Sequence, residues 1–116
     1  MTLFTREGFA AFVSTYPGTS LSDQWDSAVA KVGDKVFALL SDSDKHIAFK
    51  VSEETFEILT ALKGVGQAPY FAKRKWVSVS ANAELAEAEL REYLERSYKT
   101  VSASLTRKLR QELGIA

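Results

Sequence analysis

The stretch AVAKVGDKVFALLSDSDKHIAFKV, residues 28–51, constrains the fold more than any other part of the chain. It reads as three consecutive antiparallel strands. Gly33-Asp34 forms a two-residue turn, because glycine accepts positive φ at its first position. Asp42-Ser43-Asp44-Lys45 forms a four-residue turn that sets Leu40 opposite Ile47 and Ala38 opposite Phe49. A slip of one residue would send every apolar side chain to the other face, so these pairs fix the register. On a strict period of two, Val36, Ala38, Leu40, Ile47, Phe49 and Val51 share one apolar face. Lys35, Phe37, Leu39, His46, Ala48 and Lys50 share the other. Phe37 and Leu39 are expected on the outer face, as a contact patch or beneath another part of the chain.

Helices to cover the first face come from both sides of the meander. Phe9, Phe12, Val13 and Tyr16 form one stripe at i, i+3, i+4, i+7 of a helix over residues 5–16, which Thr5 can cap and Pro17-Gly18 ends. Residues 19–26 read as a weak edge strand with Trp25 as a core anchor. Ser52 caps a helix to about Lys63, with Glu53 and Glu54 at its positive end and Phe56, Leu59 and Leu62 inward. Gly64 to Pro69 reads as a loop without a phosphate-binding motif. Residues 69–80 read as a second hairpin, with Tyr70-Phe71 as one strand, Lys73-Arg74-Lys75 near the turn and Trp76–Ser80 returning. Asn82 can cap a long helix to Ala103, laced by Glu87–Arg91, Glu92–Arg96 and Glu95–Lys99. A short last helix runs from Leu105 to Leu113. The expected fold is α+β, an antiparallel sheet packed on one face by helices, as a single domain over residues 1–116.

The chemistry-bearing residues exclude more than they suggest. There is no cysteine, so thiolate catalysis and cysteine-based zinc sites are out. The single histidine, His46, has Ser41, Ser43 and Asp44 near it in sequence but no nucleophile elbow. No spacing of carboxylates suggests a metal, and no cofactor is implied. No apolar run reaches the ~20 residues of a membrane span, and the N-terminus has no signal-peptide core, so the expected location is cytoplasmic. A small-ligand site near Gly64–Tyr70 would require a deep pocket lined by His46 or Tyr70.

Formal charge is zero overall but uneven. Residues 1–62 hold five Lys/Arg and nine Asp/Glu (5 − 9 = −4), and residues 63–116 hold ten and six (10 − 6 = +4). The basic half carries two groups: Lys73, Arg74 and Lys75, followed by Trp76, and Arg107, Lys108 and Arg110. A basic hairpin tip beside an aromatic ring has the composition of a wing that tracks a phosphate backbone. It is also how edge strands stay soluble.

KVGDKVFALL, the pair Lys73/Trp76 and the segments SYKTV and LTRK, in this order, give the chain a further reading. Together they resemble the MmcQ/YjbR family of small bacterial proteins. The resemblance covers about Thr19 to Arg110. It implies a CyaY-like α+β fold and a double-wing arrangement that binds DNA, an inference from fold rather than from a site. The Lys73–Trp76 hairpin would be one wing and the meander the other, although the meander turn at 42–45 is net acidic. Two partners are therefore expected: duplex DNA, through the two basic groups, or a second copy of the chain, through Phe37 and Leu39. No enzymatic activity, membrane or metal partner is expected.

Overall fold

A computed structural model describes residues 2–24, 26–41 and 45–115. Among these residues lie four helices, α1 (Arg6–Val13), α2 (Glu53–Thr60), α3 (Glu87–Ala103) and α4 (Arg107–Glu112). Six strands accompany them: β1 (Thr19–Gln24), β2 (Ser27–Val32), β3 (Lys35–Leu40), β4 (His46–Lys50), β5 (Val65–Gln67) and β6 (Trp76–Ser80). The strands form one antiparallel sheet in the order β1-β2-β3-β4-β6-β5. The helices pack on one face of it, as expected. Phe9 and Val13 of α1, Leu59 of α2, and Leu90, Leu94 and Val101 of α3 join Ala30, Leu40, Ile47, Phe49, Val77 and Val79 of the sheet in one core. Leu105, just before α4, is buried in the same core.

The local signals act where the sequence has them. Thr5 caps α1 by accepting from the Gly8 N–H, and Ser52 caps α2 by accepting from the Thr55 N–H. Gly33 takes φ +63° in the two-residue turn between β2 and β3. Gly8 is needed for a different reason: a Cβ there would lie 1.8 Å from the Thr2 carbonyl oxygen. The meander register is the expected one, with Leu40 opposite Ile47 and Ala38 opposite Phe49.

Three expectations are corrected. First, β3 does not alternate throughout. Its register with β2 passes from Ala30↔Ala38 to Lys31↔Val36, leaving Phe37 as the extra residue of a β-bulge. Phe37 and Ala38 therefore both face the helices, while Val36 and Leu39 face away. Phe37 is fully buried against Tyr98 and cannot present a contact patch. Second, the strand that pairs with β6 is Val65–Gln67, not Tyr70-Phe71. Third, α3 begins at Glu87 and receives no side-chain cap. Asn82 instead pairs with Ser80 in the preceding turn. Trp25 and the turn residues Asp42, Ser43 and Asp44 lie outside the described residues.

One buried hydroxyl holds the bulge. Ser97 of α3 donates to the Phe37 carbonyl at 2.6 Å and accepts from the Lys50 N–H at 3.0 Å. The described β3–β4 pairing stops at Ala38↔Phe49. Beyond it, the serine bridges two backbone groups that a continued ladder would have joined directly. The neighbouring Tyr98 stacks on Tyr16 and donates to the Pro17 carbonyl at 2.5 Å, tying α3 to the end of the first helical segment.

Candidate nucleic-acid interface

Strand register sorts the loops between the two ends of the sheet. The pair Lys50↔Trp76 and the turn after Val32 define one end, and His46↔Ser80 defines the other. The chain from Gln67 to Trp76, with Lys73, Arg74 and Lys75, emerges at the first end. So does the Gly33 turn, against which Leu105 and Leu109 pack their side chains, which brings α4 there as well. The two basic groups of the sequence thus share one end of the sheet. Ser41 and His46, where β3 ends and β4 begins, lie at the opposite end, and the turn residues 42–44 between them lie outside the described residues.

The six cations differ in what they can offer. Lys73 and Lys75 are exposed, and so are Arg107 and Lys108. None of the four is in an ion pair among the described residues. Arg107 and Lys108 open α4, the positive end of a helix, where cations are mildly unfavourable. Helix stability therefore does not account for them. Arg74 is engaged within the fold: its guanidinium donates to Glu57 Oε1 at 2.5 Å and lies 5.6 Å from the Phe56 ring centroid. Arg110 is half-buried, and its Nε is buried without a partner among the described residues.

Three lysines that no run of charge announces lie at the same end. Lys31 and Lys50 alternate with core-facing neighbours and so stand on the open face of the sheet. Lys35 begins β3, and its Nζ donates to Ser104 Oγ at 3.1 Å, beside α4. A single charged residue within an apolar strand reads as an outward position, so only the strand order reveals that these lysines gather. The end is not purely basic. Asp34 sits in the β2–β3 turn, and Glu53 and Glu54 open α2.

The loop from Ala68 to Lys75 is built rather than slack. The Gln67 amide nitrogen donates to the Ala68 carbonyl at 2.8 Å and reaches those of Phe71 and Ala72, both at 3.4 Å. Its amide oxygen accepts from the Arg74 N–H at 2.9 Å. Tyr70 and Arg74 are held at φ +68° and +64°, a region uncommon for residues other than glycine. Phe71 stacks on Trp76 with centroids 4.1 Å apart. Tyr70 is fully exposed.

The open face of the sheet carries a second feature. A groove of about 880 Å³ runs over it, with Leu39, Ala48 and Ser78 along the strands and Tyr70 and Phe71 at the side. Leu39, expected in an interface with Phe37, is half-buried here and separated from Phe37 by the bulge. Among the described residues there is no group of three or more metal-ligating side chains. Among them, no helix is long and apolar enough to cross a membrane.

A family model described as YjbR matches residues 14–100. Among solved structures, the chain is similar to Deinococcus radiodurans protein DR2400, whose domain family is DUF419. The TM-score is 0.86 at 23% identity, over 97% of this chain and 89% of that one. A Pseudomonas syringae protein is similar with a TM-score of 0.70 at 25% identity, over 84% of this chain and 98% of that one. No curated protein matches the chain.

Proposed function

The chain belongs to the YjbR family, and we propose that it is a non-enzymatic module that takes the phosphate backbone of duplex DNA on the basic end of its sheet. One observation carries the reading: Lys73 and Lys75 share that end with Arg107 and Lys108, and all four are exposed and outside any ion pair among the described residues. Lysine and arginine side chains in this state gain by displacing condensed counterions from a phosphate backbone. Lys31, Lys35 and Lys50 extend the positive surface. Arg74 contributes mainly to the fold, since Glu57 already neutralises it. Arg110 is half-buried in the last turn of α4, where a cation suits the negative helix end. Contacts of this kind position a duplex without reading its sequence, so the module binds with little sequence preference.

Fluorescence anisotropy with a labelled duplex at ~50 mM salt, where counterion release still favours association, tests this directly. The double substitution Lys73→Ala/Lys75→Ala should weaken binding by about tenfold, while Arg74→Ala should change it little. Absence of binding by the natural protein, or a double variant that binds as tightly as it does, would overturn the proposal.

A further inference from the structure

We propose that the groove on the open face of the sheet is a binding site for a small, uncharged, planar aromatic molecule with one hydrogen-bonding edge, a site that uses none of the cations of the basic end. Its volume of about 880 Å³ lies in the range of small-molecule sites. The floor is flat because neighbouring strands put their smallest side chains there in one row. Ala48 of β4 pairs with Ser78 of β6, which pairs with Gly66 of β5. A Cβ built on Gly66 would meet nothing within 4 Å, so this row leaves open space rather than packing.

The wall is aromatic. Phe71 is locked against Trp76, and Tyr70 stands at the rim on a positive-φ backbone held by the Gln67 side chain. Uncommon backbone held in place by its surroundings is a feature of ligand clamps. Polar groups gather at one end. His46 lines the groove there, beside Ser41, whose hydroxyl accepts from the His46 N–H at 3.1 Å, and Ser27.

The described lining offers a ligand apolar surface and neutral polar groups. Among the described residues, no Asp, Glu, Lys or Arg lines the groove. A charged molecule would lose hydration against that surface. A neutral ring system keeps its apolar faces against Leu39, Ala48 and Phe71 and turns a carbonyl, amide or hydroxyl towards His46 and Ser41. The site shares the Gln67–Trp76 loop with the basic end but none of its cations, so either assignment can fail without the other.

Calorimetry and amide chemical-shift titration with 2-naphthamide test the assignment at pH 8, with 2-naphthoate as its charged counterpart. A ring system of this size should bind saturably, one per chain, at ~1 mM or tighter. Gly66→Phe fills the open space above the floor and should weaken binding at least about tenfold while leaving duplex binding unchanged. Ser78→Leu, on the neighbouring strand, gives the same reading if Gly66→Phe does not fold. His46→Ala should weaken 2-naphthamide more than unsubstituted naphthalene. The proposal is overturned if binding does not saturate, if filling the groove leaves binding unchanged, or if 2-naphthoate binds as tightly as the amide. Concentration-dependent dimerisation abolished by Gly66→Phe would also overturn it, by assigning the groove to a second copy.

Discussion

Ser97 sits where a β-ladder gives way to a bulge, and its hydroxyl serves two backbone groups at once. Ser97→Ala would leave the Phe37 carbonyl and the Lys50 N–H without this partner in a buried place. A buried group left unpaired costs about 1–3 kcal/mol, so urea unfolding of Ser97→Ala should lose stability in that range. A loss under about 0.5 kcal/mol, the low end for a net hydrogen bond, would mean that water or a local shift restores the pairing. Glu87 is a second residue with a defined task. Its Oε1 accepts from the N–H of buried Leu3 at 2.8 Å, and that hydrogen bond, aided by Thr2 and Arg91, holds its carboxyl below the ordinary value of 4.5. A carboxyl with a lowered folded pKa adds stability above its ordinary pKa and loses it as pH falls towards the folded one. Thermal unfolding should therefore show a loss of stability below pH 4.5, and Glu87→Gln should remove part of that dependence. The side chain is 40% exposed, so the contribution at neutral pH is modest, roughly 0.5–1 kcal/mol.

At the scale of elements, the sequence was legible where local chemistry decides and silent where tertiary contacts do. Thr5, Ser52 and Gly33 act as a cap, a cap and a turn residue because those roles depend on neighbours a few residues away. The β3–β4 register was legible because the turn length and the apolar set agree. The bulge was not, because VFALL is an unbroken apolar run with no period of two to interrupt, and the irregularity is held by a serine 60 residues on. That one extra residue decides where Phe37 goes, and with it whether the outer face carries an aromatic patch. Likewise β5 hides behind Gly64, Gly66 and Pro69, which read as loop, and is a strand only because β6 pairs with it. The basic groups themselves were plain in the sequence. What each cation does was not, since the Arg74–Glu57 pair joins a loop to a helix 17 residues away. The loop geometry that sets these cations depends on Gln67. Gln67→Ala should leave the fold intact but raise hydrogen exchange at the Arg74 amide by at least about tenfold, the signature of lost local protection. Unchanged protection would show that the loop holds its shape without that amide.

On the scale of the whole molecule, the sheet divides the protein into three surfaces of different character. One face is covered by helices and holds the core. The other is open and carries an uncharged groove. One end gathers cations from β2, β3, β4, the Gln67–Trp76 loop and α4. The net charge of zero conceals this, because acidic residues elsewhere cancel the total without neutralising that end. Binding through such an end should behave as counterion release, which each phosphate contact contributes to separately. The decisive measurement is the salt dependence of duplex affinity for the natural protein, for Lys73→Ala/Lys75→Ala and for Arg107→Ala/Lys108→Ala. If all four cations contact phosphates, the natural protein should give a log–log slope of about −3 to −4, and each double variant should reduce it by about 2. A slope that stays the same in either double variant would contradict the account that these two groups form a single phosphate-binding surface.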